Sequence, residues 1–135
     1  MTFLVDANVV SELTKPMPSL TVVKWLRTHE SELALNAIVL GEISLGILAL
    51  PVGKKRRALE RWFGERVESM ICLAWDADAA LEWARLMTRL RFKGTSMPLG
   101  DSMIAASALR HDLTVATRNT RDFANAGVRV INPFD

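Results

Sequence analysis

Apolar residues along the 135-residue chain fall into two patterns, short continuous runs and stretches spaced three or four apart, and their alternation sets the expected elements. Residues 2–5 are an apolar run rich in β-formers that ends at Asp6, and read as a buried strand feeding a helix over about residues 8–14. Pro16 and Pro18 stop that helix. Val22, Val23, Trp25 and Leu26 supply the apolar side of a second helix, before a short strand around residues 33–37. The third helix, over residues 39–50, carries Glu42 in its first turn. It is apolar around most of its circumference, so it must be buried in the core or covered by another chain. Pro51 and Gly53 end it. Leu59, Trp62, Phe63 and Val67 mark a fourth helix, followed by a strand over residues 70–75. On the helix that starts near Asp76, Leu81, Ala84, Met87 and Leu90 recur every three residues as the expected core side, with Arg85, Arg89 and Arg91 nearer to solvent. After Gly94 and Pro98, a helix over residues 100–110 leads into a strand at 113–117, a turn, and a last strand at 128–131.

The order is therefore β, α, α, β, α, α, β, α, α, β, β. Short apolar strands separated by helices call for an α/β fold with a mostly parallel central sheet covered on both faces, in three α/β/α layers. Sites in such sheets form beyond the carboxyl ends of the strands. With no internal repeat, low-complexity segment or linker, residues 1–135 read as one domain.

Half of the residues are hydrophobic and 24% are charged, the balance of a soluble globular protein. No apolar run approaches the roughly 18 to 20 residues of a membrane helix, and the start lacks a basic region and a cleavage site, so the cytoplasm is expected. The one cysteine, Cys72, lies between Ile71 and Leu73 and reads as a buried strand position. His29 and His111 are too far apart for a zinc site or a Cys/His nucleophile pair, so any metal must be held by oxygen. The net charge is only +2, and local clustering matters more than that sum.

Asp6 stands where the first strand ends, Asp101 opens a helix behind Gly100, Asn119 and Asp122 follow the strand at 113–117, and Glu42 follows the strand at 33–37. All can face the same end of the sheet. Taken singly, Asp101 and Glu42 suit helix N-termini, where the dipole stabilises an acid by about 0.3–1 kcal/mol. Taken together, converging carboxylates repel and raise each other's pKa values unless something positive joins them. Oxygen-only ligands suit Mg²⁺ or Mn²⁺, whose chemistry at such sites is phosphodiester hydrolysis.

Four stretches of sequence give these acids a context. Residues 5–13, Val-Asp-Ala-Asn-Val-Val-Ser-Glu-Leu, and residues 39–46 around Glu42 resemble the opening blocks of VapC-type and FitB-type PIN-domain toxins. Residues 99–108, Leu-Gly-Asp-Ser-Met-Ile-Ala-Ala-Ser-Ala, are similar to the third block, and residues 115–123, Val-Ala-Thr-Arg-Asn-Thr-Arg-Asp-Phe, to the fourth. Four ordered blocks over essentially the entire chain are specific where a lone Asp-x-Asn is weak.

The resemblance implies a PIN-domain-like fold and an Mg²⁺-dependent endoribonuclease, with Mn²⁺ as substitute. Asp6 and Asp101 would bind the metal, and Glu42 would be a further acidic ligand or a water-positioning group. It further implies a toxin restrained by a cognate small antitoxin, acting on RNA such as tRNA, forming a homodimer to which residues 39–50 contribute, and reaching promoter DNA only through the antitoxin. The fourth acid stays open: Asn119 could orient a water while Asp122 reaches a second cation, or Asp122 merely caps the turn before Phe123. Asn8 and Thr117 either support Asp6 or make ordinary turn bonds.

Lys54, Lys55, Arg56, Arg57 and Arg61 place five positive charges within eight residues, as a solvated helix face or as a surface that tracks phosphates. Trp25, Trp62, Trp75 and Trp83 could stack bases, but sit mostly at core spacing. Competing readings are a nuclease acting on DNA and a catalytically silent PIN-like module that serves its antitoxin in promoter autoregulation; intact Asp6, Glu42 and Asp101 argue against the latter. A dehalogenase-like phosphatase needs an Asp where Asn8 stands, a phosphorylation receiver needs a Lys where Thr117 and Arg118 stand, and a nucleotide hydrolase needs a Gly-rich Lys-Ser/Thr loop that is missing.

Overall fold

Leu4 and Val5, and beside them Ala34 and Leu35, have no solvent-exposed surface. Successive strand side chains point to opposite faces, so the central sheet is covered on both sides in this computed structural model, which describes residues 1–135. Its strands are β1 (Phe3–Val5), β2 (Leu33–Asn36), β3 (Ile71–Leu73), β4 (Thr114–Ala116) and β5 (Val130–Ile131). They lie in the order β3-β2-β1-β4-β5, and every pairing is parallel. Even β5 runs parallel to β4, because the residues between them, with a 3₁₀ turn over Thr120–Phe123, are long enough for a crossover rather than a hairpin.

Six helices complete the chain: α1 (Ala7–Val10), α2 (Leu20–Thr28), α3 (Ala37–Leu48), α4 (Lys54–Trp62), α5 (Ala77–Phe92) and α6 (Leu99–His111). Side chains cap most of them where the sequence allows. Asp6 accepts from the Ala7 N–H, Ser19 from Val22, Asn36 from Val39 and Asp76 from Ala79, each satisfying a donor that the first turn leaves free. Helix α6 ends at Asp112 with φ of 54°, a left-handed position that Asp tolerates better than most side chains. A cluster of 23 buried residues, Phe123 and Leu86 among them, forms the core. No helix is long and apolar enough to cross a membrane.

Several expectations are corrected. The first helix is only one turn, passing at Ser11 into a 3₁₀ turn (Ser11–Thr14). Helix α3 begins at Ala37, so Glu42 lies in its second turn and the capping role belongs to Asn36. Helix α3 buries Val39, Ile43 and Ile47 but leaves Leu45 69% and Leu48 54% exposed. On α5 the buried residues are Ala79, Leu86 and Leu90, while Leu81 is 57% exposed. Three residues advance a helix by about 300°, so a strict three-residue repeat slips about 60° per step and ends on the opposite side after three. Cys72 is exposed, not buried, because β3 is an edge strand; partial burial still pushes its thiol above the ordinary value.

The 3₁₀ turn after α1 holds a residue the sequence left without a role. Glu12 is only 5% exposed; one carboxylate oxygen accepts from the Ser19 N–H at 2.8 Å and the other pairs with the Lys15 ammonium at 2.9 Å. The bond from Lys15, then that from Ser19, holds its carboxyl below the usual range. Glu12 thereby ties the Lys15–Ser19 loop to the start of α2. Glu12→Ala is expected to lower the melting temperature by several degrees at pH 7 and to expose residues 15–19 to amide exchange, since a buried backbone donor would lose its acceptor. An unchanged exchange rate at Ser19 would contradict this role.

Candidate active site

Four elements bring acids to one end of the sheet. Asp6 leaves the carboxyl end of β1, Glu42 stands on α3, Asp101 lies in the first turn of α6, and Asp122 lies in the 3₁₀ turn after β4. Their mutual effects show that they converge. Burial and then the charges of Asp6, Asp122 and Glu42 push the Asp101 carboxyl up to about 6. Burial and then Asp6 raise Glu42; burial foremost, with Asp122 adding, raises Asp6.

Asp6 is the most firmly held. Its Oδ1 accepts from the Ala7 N–H at 2.7 Å, and its Oδ2 from the Thr117 hydroxyl at 2.8 Å and the Asn8 amide at 3.3 Å. These bonds oppose the rise caused by burial, since each donor favours the ionised form. A carboxylate offers roughly four lone-pair sites, so one on Oδ1 is left for a cation. The Asn8 amide also donates to the Thr117 hydroxyl oxygen at 3.3 Å, and its Oδ1 accepts from the Arg118 N–H at 3.1 Å. Asn8 and Thr117 thus link the first loop of the chain to the loop after β4.

Asp101 is fixed through its helix. The Trp83 indole on α5 donates to the Ser102 hydroxyl at 2.9 Å, and that hydroxyl donates to the Leu99 carbonyl at 2.6 Å, which pins the first turn of α6. Gly100 clears space for Glu42: a Cβ at Gly100 would sit 3.0 Å from Glu42 Oε1, tighter than ordinary contact. The role of Gly100 was missed in the sequence, where the only hint was its place directly before Asp101.

Asn119 and Asp122 are both exposed, and only Asp122 adds its charge to those acting on Asp6 and Asp101. The Asn119 backbone N–H donates to the Thr117 hydroxyl oxygen at 3.1 Å. Helix α4 reaches the site through apolar residues, and none of its five cations lines the cleft between them. A cleft of about 170 Å³ runs from Leu59 and Trp62 on α4 to Glu42, past Ser11 and Thr14. Of the five, Arg56 is already engaged, donating to Glu60 at 2.7 Å. Lys54, Lys55, Arg57 and Arg61 are exposed, and Lys54, Arg57 and Arg61 share one helical face by spacing.

The donor set is entirely oxygen and repels itself, which fits a hard divalent cation. No three of the metal-ligating side chains are gathered into a ready-made cage. That matches the habit of Mg²⁺, which keeps several waters and takes one or two carboxylates together with substrate phosphate oxygens.

With this geometry established, comparison with known proteins places the chain. The sequence pattern of the PIN domain matches residues 3–128, and the chain belongs to the PIN-domain family. It is 37% identical to the VapC ribonuclease Y4jK of Sinorhizobium fredii over 98% of this chain and 97% of that protein. It is also 37% identical to the toxin FitB of Neisseria gonorrhoeae, over 97% of each. In three dimensions it superposes on a chain of the FitAB complex bound to an IR36 DNA fragment with a TM-score of 0.93, at 33% identity over 99% of this chain and 96% of that one.

Proposed function

We propose that this chain is a divalent-cation-dependent endoribonuclease, the toxin of a toxin–antitoxin pair. The observation that carries the reading is the convergence of Asp6, Glu42, Asp101 and Asp122 beyond the carboxyl ends of β1 and β4, where the charges of its neighbours help push Asp101 up to about 6. Similarity to a VapC ribonuclease and to the toxin FitB supports it. Asp6 and Asp101 would hold Mg²⁺, with Mn²⁺ as substitute, Glu42 would be a further ligand or position a water, and Asp122 joins the acidic group. When bound, the cation supplies water activation and neutralises charge developing on the phosphate. The chain's own residues do the positioning: Thr117 and Asn8 aim Asp6, Trp83 and Ser102 fix the helix turn under Asp101, and Gly100 admits Glu42.

Single-stranded or loop RNA, tRNA included, is the substrate class, because its exposed backbone can enter such a groove. In the same reading a small antitoxin covers the site in the cytoplasm, the pair reaches promoter DNA through the antitoxin as the FitAB complex reaches its DNA fragment, and exposed Leu45 and Leu48 on α3 contribute to a homodimer. The test is cleavage of total tRNA and of a matched single-stranded DNA by purified protein with Mg²⁺, Mn²⁺ or EDTA, beside an Asp6→Asn control. Metal-dependent RNA cuts missing from the control are expected. Cuts in DNA alone, or none in either polymer from folded antitoxin-free protein, would reject the ribonuclease.

A further inference from the structure

Arg118 occupies an unusual position on the rim of the acidic group. Its backbone N–H donates to Asn8 Oδ1 at 3.1 Å, and it directly follows Thr117, whose hydroxyl donates to Asp6. Its backbone is therefore fixed to the site from two sides. Its guanidinium carbon stands 4.6 Å from the centre of the Phe134 ring, and its charge reaches Glu12, whose carboxylate is already paired with Lys15.

We propose that Arg118, stacked on Phe134, binds a backbone phosphate of the RNA adjacent to the one being cut. This inference rests on the ribonuclease reading above. Three observations support it. First, none of the five ion pairs of the chain includes Arg118, so its charge is not matched by a carboxylate partner as that of Arg56 is. Second, a guanidinium over a ring face is held there without spending an N–H donor. That leaves the fork free for two phosphate oxygens, while stacking reduces the freedom lost on binding. Third, the cluster of Asp6, Glu42, Asp101 and Asp122 repels a polyanion everywhere except where a cation sits between them. A strand threading the site needs a fixed positive group just outside it, and Arg118 is anchored there by Asn8.

Phe134 is on this account a positioning residue that acts only through Arg118. Hydrogen bonds hold its ring in place. The Phe134 N–H donates to Asn132 Oδ1 at 3.0 Å, and the neighbouring Ile131 carbonyl accepts from the Thr117 N–H at 3.0 Å. The ring that supports Arg118 and the turn that carries it are thus parts of one hydrogen-bonded unit.

The experiment measures cleavage kinetics of a labelled single-stranded RNA at fixed Mg²⁺, and binding of the same RNA to the Asp101→Asn chain across a salt series. Arg118→Ala should raise KM about tenfold with kcat within about threefold, and lower the slope of log affinity against log salt by about 0.7, the value for one contact to single-stranded nucleic acid. Arg118→Lys should keep the slope while recovering only part of KM, since the point charge remains and the fork does not. Phe134→Ala should raise KM about threefold with the slope intact, and Phe134→Trp should restore it. Melting temperatures of the Arg118 variants should match the parent. Wild-type KM and salt slope in Arg118→Ala, in a preparation that cleaves RNA, would overturn the proposal; so would a loss in kcat alone, or a Phe134→Ala variant that loses slope. If the unaltered chain neither binds nor cleaves RNA, the ribonuclease reading itself has failed, which the parent control reveals separately.

Discussion

Asp101→Asn is expected to slow metal-supported RNA cleavage by about a thousandfold and, at pH 7.5, to make the protein more resistant to heat. The loss of rate follows if Asp101 holds the cation, because a metal contributes several kcal/mol of charge stabilisation and each roughly 1.4 kcal/mol is a decade in rate. The gain in stability follows from the cause of the raised carboxyl. Burial and the charges of Asp6, Asp122 and Glu42 push it to about 6, so its ionised form is unfavourable at pH 7.5 in the absence of a cation. A neutral amide of the same shape removes that repulsion. A gain of about 1 kcal/mol would move the melting temperature of a domain this size by about 4 °C. Scanning fluorimetry beside a cleavage assay checks both halves; cleavage within tenfold of the parent, or a lowered melting temperature with intact helical content, would count against the assignment.

Divalent cation should invert the pH dependence of stability. Without it, Asp101, raised from 3.8 to about 6, contributes stability that is fully present below 3.8 and lost as pH rises through about 6. Glu12, held below its ordinary 4.5, contributes the opposite way: its stability is present above 4.5 and lost as pH falls through its lowered value. The cation-free protein should therefore melt highest in mild acid and lower at pH 7.5. With Mg²⁺ or Mn²⁺ at about a hundred times the dissociation constant, binding adds about 2.7 kcal/mol, and the order should reverse, because protons compete for Asp101 below about pH 6. Asp101→Asn should remove the cation effect. Melting curves from pH 5 to 8, with and without metal, decide it; a cation shift equal at pH 5 and pH 7.5 would argue that Asp101 is not a ligand.

What the sequence made legible follows from the distance over which each interaction acts. The β and α elements were readable because period-2 and period-3.6 patterns are local, and Asp6, Asp101 and Asp122 stand at element ends, where one loop fixes their position. The choice between Asn119 and Asp122 was not local. Both follow β4, and it is the 3₁₀ turn, with Phe123 fully buried, that brings the Asp122 charge to bear on Asp6 and Asp101. The stripe on α5 misled because Leu81 is as apolar as Leu86, and apolarity alone does not say which face meets α6. Glu12 sits on a one-turn helix with no periodicity to betray its burial. Arg118 and Phe134 follow two parallel strands joined by a crossover, a contact that spacing does not encode.

Asp6 and Thr117 are joined across 111 positions of sequence, and β1 finds β4 as its neighbour only after β2 and β3 have been made. On a ribosome adding about 5–20 residues per second, the loop that aims Asp6 is made several seconds after the first strand. An amino-terminal fragment that stops before Thr117 lacks the bond that aims Asp6. Every shorter intermediate carries Asp6 without the hydroxyl that aims it, so the acids are brought to order by a contact between residues made more than a hundred positions apart.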